Sequence, residues 1–195
     1  VFNTAHKLFG LNFEQLDSIP VYHPDVEGFK VTDADGSLIG VLLTDYFPRS
    51  TKRGGAWMTN FINQEVIDGE DIRPVIVNVG NFAKPTADKP SLLTLDQVET
   101  MFHEFGHALH GLLSQCTYKS VSGTSVARDF VELPSQIMEN WAFQKEVLKE
   151  YARHYETGEV IPDSLVNKIL AAETFNQGFM TTELAAASIL DLKWH

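Results

Sequence analysis

A single cysteine, Cys116, occurs in the 195 residues, which excludes an internal disulfide and any zinc knuckle built from several thiolates. A lone thiol suits a reducing compartment, and the N-terminus VFNTAHKLFG carries no secretory leader, so a cytoplasmic protein is expected. Positive charge is scarce too: 15 Lys and Arg against 26 Asp and Glu leave a net charge of −11. The densest basic stretch, Arg49 to Arg53, reads as a solvated loop, so neither nucleic acid nor an anionic membrane is an expected partner. The longest clean apolar run, Leu38 to Leu43, is far too short to span a bilayer. An initiator Met is lacking, and both ends stop inside sequence that reads as structured, so a piece of a longer polypeptide is expected.

The sequence does have the makings of a folded core. Hydrophobic residues are 44% and charged residues 21% of the chain, the balance of an ordinary globular protein. Three zones follow one another without repeats. Residues 1–27 hold a short helical pattern (Phe2, Ala5, Leu8, Phe9) and a Pro-punctuated extended lead-in. Residues 28–83 read as strands: FKV and LIGVLLTDYF flank an Asp35-Gly36 turn, and AWMTNFI and VIVNVGNF come after a loop. An antiparallel meander of three or four strands is expected there. From Thr94 the period turns helical, with TLDQ as a capping box and a first helix running to about Leu113. The segment from Phe130 to Tyr155 reads as a second helix, with Pro134 in its first turn or kinking it. Asp163–Ala172 and Thr174–Leu192 read as two more. The expected class is α+β and predominantly helical, a small antiparallel sheet followed by a helical core over residues 94–195, all within one partial domain.

The helix that starts at Thr94 carries FHEFGHALHG, with His103 and His107 four residues apart and so one turn apart on the same face. Two imidazoles so placed can hold one zinc ion at about 2 Å each. Glu104 lies about 100° around the helix, within reach of a water on that metal, and can take its proton as the water attacks a carbonyl. This is the H-E-x-x-H arrangement of zinc peptidases, here in the helical context that it requires. His110 shares the face, but seven residues span about 10.5 Å, too far for one ion to bind it together with His103. It is expected off the metal, either beside the ligands, where it can donate to a carboxylate, or packed. The third ligand should come from another helix, and RDFVELPSQIMENW supplies Asp129, Glu132 and Glu139. Spacing alone does not choose between Glu132 and Glu139; the acid that is not a ligand can orient a ligand histidine through its ring N–H.

FHEFGHALHGLLS, followed by SGT, DFVELPSQ and MENW, resembles the thimet oligopeptidase and peptidyl-dipeptidase family of zinc metallopeptidases. Upstream, GLNFE, VYHPDV, DYFPR, GGAWMTNF, NFAKPT and PSLLTLDQVETMF extend the resemblance, and downstream HYETGEVIP and ETFNQGFMTTELAAASILDLKWH do the same. VYHPDV, GGAWMTNF and TFNQGF favour the bacterial peptidyl-dipeptidase (dipeptidyl carboxypeptidase) branch. The resemblance implies one Zn2+ per chain on His103, His107 and Glu132, with Glu104 as general base and a fourth position for water. It makes Glu139, His110 and Asp129 supports around the ligands. Gly123 would be the hinge of a loop beside the cleft. The strand holding Gly55, Ala56 and Trp57 would be an edge along which an extended oligopeptide lies. The activity implied is release of C-terminal dipeptides from oligopeptides by a zinc-bound water. The rivals are cleavage of internal bonds and a non-catalytic zinc-binding role. In that family the oxyanion-stabilising His and Tyr residues fall beyond the equivalent of His195, so the isolated chain is expected to have low activity or none, and the rest of the parent polypeptide is its expected partner.

Overall fold

The computed structural model describes residues 1–195 as two compact units, Val1–Ala142 and Phe143–His195. In the first, α1 (Phe2–Phe9) precedes strands β1 (Asn12–Gln15), β2 (Glu27–Thr32), β3 (Leu38–Asp45), β4 (Trp57–Ile62), β5 (Glu65–Ile67), β6 (Glu70–Ile72) and β7 (Val75–Val79). Helices α2 (Leu95–Leu112) and α3 (Leu133–Ala142) follow. The fold is α+β, with the sheet ahead of the main helices, as the sequence pattern implies.

Five strands form one sheet in the order β1-β2-β3-β7-β4, and β5 and β6 form a separate ribbon. The β2–β3 turn is the expected one: Gly36, at φ 86, donates its N–H to the Asp33 carbonyl at 3.0 Å. The wholly antiparallel meander is corrected, because β3 and β7 run parallel, Val41 opposite Val75 and Asp45 opposite Val79. The chain leaves a place between β3 and β4, and β7 fills it, antiparallel to β4. VIVNV is buried at four of its five positions, the near-continuous burial of a central strand rather than the alternation of a half-solvated one. Strand β1 falls in the stretch read as lead-in. The spacer around Ile67 to Asp71 is a tight hairpin, with Asp68 and Gly69 both at positive φ.

Pleating sends alternate side chains to opposite faces of the sheet. Leu43, Val77 and Val79 cluster on one face with Val26, and Trp57 packs against them. On the other face α2 settles so closely that a methyl on Gly111 would come within 2.7 Å of both Ile76 and Met58. Helix α2 begins as expected: Thr94 Oγ1 accepts the Gln97 N–H at 3.3 Å, and Gln97 Oε1 accepts the Thr94 N–H at 3.0 Å. Phe105, fully buried, lies in an aromatic cluster with Phe2 and Phe13, whose rings stack at 4.2 Å. Burial of that ring fixes the rotation of α2 about its axis, and with it the direction in which the residues on either side of Phe105 point.

The reading of residues 130–155 as one helix is also corrected. The segment turns up to Glu132, forms α3, breaks at Phe143–Gln144 and resumes as α4 (Lys145–Tyr151). Pro134 has no N–H and a fixed φ, both harmless in a first turn, so α3 starts at Leu133 with the Gln136 N–H bonded to the Glu132 carbonyl at 2.9 Å. The unit Phe143–His195 contains α4, α5 (Asp163–Ala172) and α6 (Gln177–Trp194), and Lys149 Nζ meets Asp163 Oδ1 at 2.9 Å. Pro162 precedes α5 as expected, and no residue of α6 is buried. No helix is long and apolar enough to cross a membrane.

Helices α2 and α3 touch at Gly106. A Cβ there would stand 2.6 Å from the Pro134 carbonyl oxygen and 2.6 Å from Ser135 Cα, backbone atoms that cannot swing aside. Gly106→Ala is therefore expected to destabilise the protein by about 1–3 kcal/mol through overpacking, read as a lowered denaturation midpoint. An unchanged midpoint would contradict this contact.

Candidate metal centre

His103 and His107 project from α2 one turn apart, with ring centroids 4.9 Å apart and planes at 83°. Glu132, the last residue before α3, aims its carboxylate between them: Oε2 lies 3.3 Å from His103 Nε2 and 3.1 Å from His107 Nε2. One ligating atom from each of the three lies within 4.8 Å of the others. Ligands at about 2.0–2.1 Å in a tetrahedron around zinc are about 3.3 Å apart, so these three fit three of its corners. Ser135 fixes the carboxylate, its Oγ standing 2.9 Å from Glu132 Oε2 and 2.8 Å from the Glu132 carbonyl oxygen. Burial would raise the pKa of Glu132, but the Ser135 contact and the two histidines outweigh it and hold the carboxylate below its usual range.

Glu139, two turns along α3 from Glu132, meets His103 Nδ1 at 2.5 Å. The spacing left Glu132 and Glu139 interchangeable; the fold gives them different nitrogens of the same ring. With Nδ1 turned to Glu139, the other ring nitrogen, Nε2, is left facing Glu132 Oε2. A ring nitrogen and a carboxylate oxygen so placed can share one cation. Burial lowers the pKa of His107, which favours the neutral, ligand-competent ring, and its Nδ1 is buried without a partner.

Glu104 occupies the next position around α2 and is 8% exposed, with Oε2 buried and unpartnered. Burial raises its pKa; His103 opposes that rise and Glu132 adds to it. A carboxyl whose pKa is raised by burial, beside a cavity, is suited to accept and return a proton. That cavity, about 470 Å³, is lined by Ala56, Trp57 and Met58 of β4 and its approach, by His103, Glu104, His107 and Glu132, and by Thr124 and Val131. A larger apolar cavity of about 550 Å³ lies near the C-terminal end of α2, among Leu109, His110, Cys116 and Ile137. The three convergent ligating atoms are in the smaller cavity.

The remaining expected residues separate. Gly55 (φ 88), Ala56 and Trp57 lie where β4 begins; β4 pairs only with β7, so its outer edge is free along the metal-side cavity. Gly123 has φ 55, and its N–H is bonded to Ser114 Oγ at 3.0 Å, which pins the loop in this structure. Of the two places expected for His110, beside the ligands or packed, the structure shows packing: its ring meets Phe130 at 6.2 Å, and its Nδ1 is buried without a carboxylate partner. Asp129 is exposed in the turn before α3 and stands outside the ligating group. Ser135 was not anticipated, although a hydroxyl three residues after an acid at a helix start is a readable capping signal.

The family model for peptidase family M3 matches residues 1–195. The chain belongs to peptidase family M3. It is 48% identical over 195 residues to the dipeptidyl carboxypeptidase of Escherichia coli (strain K12), covering 100% of the chain and 28% of that protein. Identity is 39% over 197 residues to oligopeptidase A of the same organism and 42% over 203 residues to the organellar oligopeptidase A of Arabidopsis thaliana. The chain thus spans little more than a quarter of the length of these M3 relatives, 26–29%.

The raised pKa of Glu104 has a signed consequence for stability. A group whose folded pKa lies above its unfolded value stabilises fully below the unfolded pKa, here 4.5, and loses that contribution as pH rises through the folded value. Glu104→Gln removes the ionisation. In metal-free protein the melting point of Glu104→Gln relative to wild type is expected to increase progressively as pH is raised from 4.5 toward 8. A constant or shrinking difference would contradict it.

Proposed function

We propose that this chain is the zinc-binding and water-activating core of a longer peptidase, which removes dipeptides from the C-termini of oligopeptides. The observation that carries the reading is the convergence of Glu132 Oε2 on the Nε2 atoms of His103 and His107, at 3.3 and 3.1 Å, beside a buried Glu104. A nitrogen, nitrogen, oxygen set leaves a position open, as catalytic rather than structural zinc requires. When bound, zinc supplies Lewis acidity, polarising the scissile carbonyl and acidifying water.

The protein's residues carry the rest. His103, oriented by Glu139, and His107 hold the ion; Glu132, fixed by Ser135, completes the set. Glu104 takes a proton from the attacking water and returns it to the departing amine nitrogen as the C–N bond breaks. The free edge of β4 hydrogen-bonds an extended oligopeptide through backbone groups, giving affinity that tolerates sequence variation. Relatives more than three times as long than this chain support a further wall and oxyanion donors elsewhere in the polypeptide. The 48% identity to a dipeptidyl carboxypeptidase favours C-terminal dipeptide release; the 39% identity to an oligopeptidase A supports cleavage of internal bonds as the second reading. A cytoplasmic location belongs to the same proposal, on the evidence of one unpaired cysteine.

The test uses the full-length enzyme with oligopeptides bearing free or amidated C-termini. Rapid dipeptide release from the free peptide and little cleavage of the amide are expected; equal cleavage would turn the assignment to the internal-bond reading. Glu104→Gln should keep its zinc and lose about 10²–10⁴ in kcat, whereas His107→Ala should lose the zinc itself. Full zinc content in His107→Ala would defeat the metal assignment.

A further inference from the structure

The face of the sheet beneath α2 carries polar groups that packing alone does not explain. Asn78, in the centre of β7, is 0% exposed, and neither its Oδ1 nor its Nδ2 has a hydrogen-bond partner. The Tyr46 hydroxyl and Glu104 Oε2 are buried and unpartnered as well. These atoms belong to one region. Asn78 pairs in register with Thr44 of β3 and with Met58 of β4, and Met58 lines the metal-side cavity together with Glu104. Tyr46 is two residues beyond Thr44, so the alternation of the strand turns it to the same face. Burial pushes the Tyr46 pKa up to about 12; the Asn78 amide works against that rise, and the Glu27 and Glu104 carboxylates add to it.

Buried polar atoms are nearly always satisfied by protein or by an internal water, and such waters typically bond to about three otherwise unpaired groups. Leu at 78 and Phe at 46 would fill the same space without burying an unpaired amide and hydroxyl. A carboxylate that works through one oxygen, in turn, needs its other oxygen restrained.

We propose that Tyr46 and Asn78 form a polar floor that holds an ordered water against Glu104 Oε2, so that the other carboxylate oxygen stays aimed into the metal-side cavity. The water accepts from the Tyr46 O–H and an Asn78 N–H and donates to Glu104. Tyr46 and Asn78 are positioning residues, acting through Glu104 without touching substrate or metal. This inference rests on the reading of Glu104 as the general base.

Tyr46→Phe and Asn78→Leu in the full-length enzyme test it, each made in wild-type and Glu104→Gln backgrounds. Each single variant should retain its zinc and a KM within about twofold of wild type, and lose about 10-fold or more in kcat, the range seen when an outer support of a metal site is removed. The melting point should fall only modestly, because one hydrogen bond to the water contributes little net stability. In the Glu104→Gln background neither change should lower the residual rate further, since the group being positioned is already disabled. Unchanged kcat in both single variants would overturn the proposal. So would a kcat loss of equal size in the two backgrounds, or one that tracks zinc loss, because each indicates a structural role. Full activity of Glu104→Gln alone would instead defeat the underlying assignment of the base. A high-resolution crystal structure with no water bonded to Glu104, Tyr46 and Asn78 would also overturn the floor.

Discussion

The close approach of α2 and α3 at Gly106 is the contact on which the site depends. Where a side chain would collide with the Pro134 carbonyl and Ser135 Cα, hydrogen alone allows the start of α3 to lie against the histidine-bearing turn. Glu132 is the residue just before that start, so helix contact becomes ligand geometry. The five residues HEFGH therefore divide the work: two imidazoles face the ligating acid, Phe105 locks the rotation of the helix in an aromatic cluster, Gly106 admits the partner helix, and Glu104 is left buried between helix and sheet.

Energetic tension is concentrated at the same place. Glu104 is a carboxylate with an unpartnered, buried oxygen, a condition that burial resists and that a well-packed apolar residue would relieve. Glu132 is the opposite case, stabilised as an anion by Ser135 and two rings. Two carboxylates beside the same pair of histidines are pushed in opposite directions by their surroundings. That separation suits the roles proposed for them, one holding a cation and the other carrying a proton.

Periodicity and motif made the local parts of this arrangement readable. The capping box at Thr94, the i, i+4 histidines and the Asp35-Gly36 turn depend on residues within a few positions of one another, and each is found where the pattern puts it. The choice between Glu132 and Glu139 was unreadable from spacing, because both lie on one face of α3; a neighbouring helix assigns them to different nitrogens of His103. Strand order was hidden for a similar reason. β7 reads as one more apolar strand, and only its burial on both faces, set by α2 above and by the Val26 cluster below, makes it a central, parallel neighbour of β3. Asn78 and Tyr46 left no trace in the pattern, since a polar residue within a strand is by default a solvent-facing one.

The central claim is the ligand set itself, and X-ray absorption at the zinc edge tests it most directly. The spectrum of the zinc-loaded protein should fit two imidazole nitrogens and carboxylate and water oxygens at about 2.0–2.2 Å, with no sulfur. Glu132→Gln should alter that first shell and Glu139→Gln should leave its composition intact. A sulfur scatterer, or a first shell that changes with Glu139 and not with Glu132, would contradict the account.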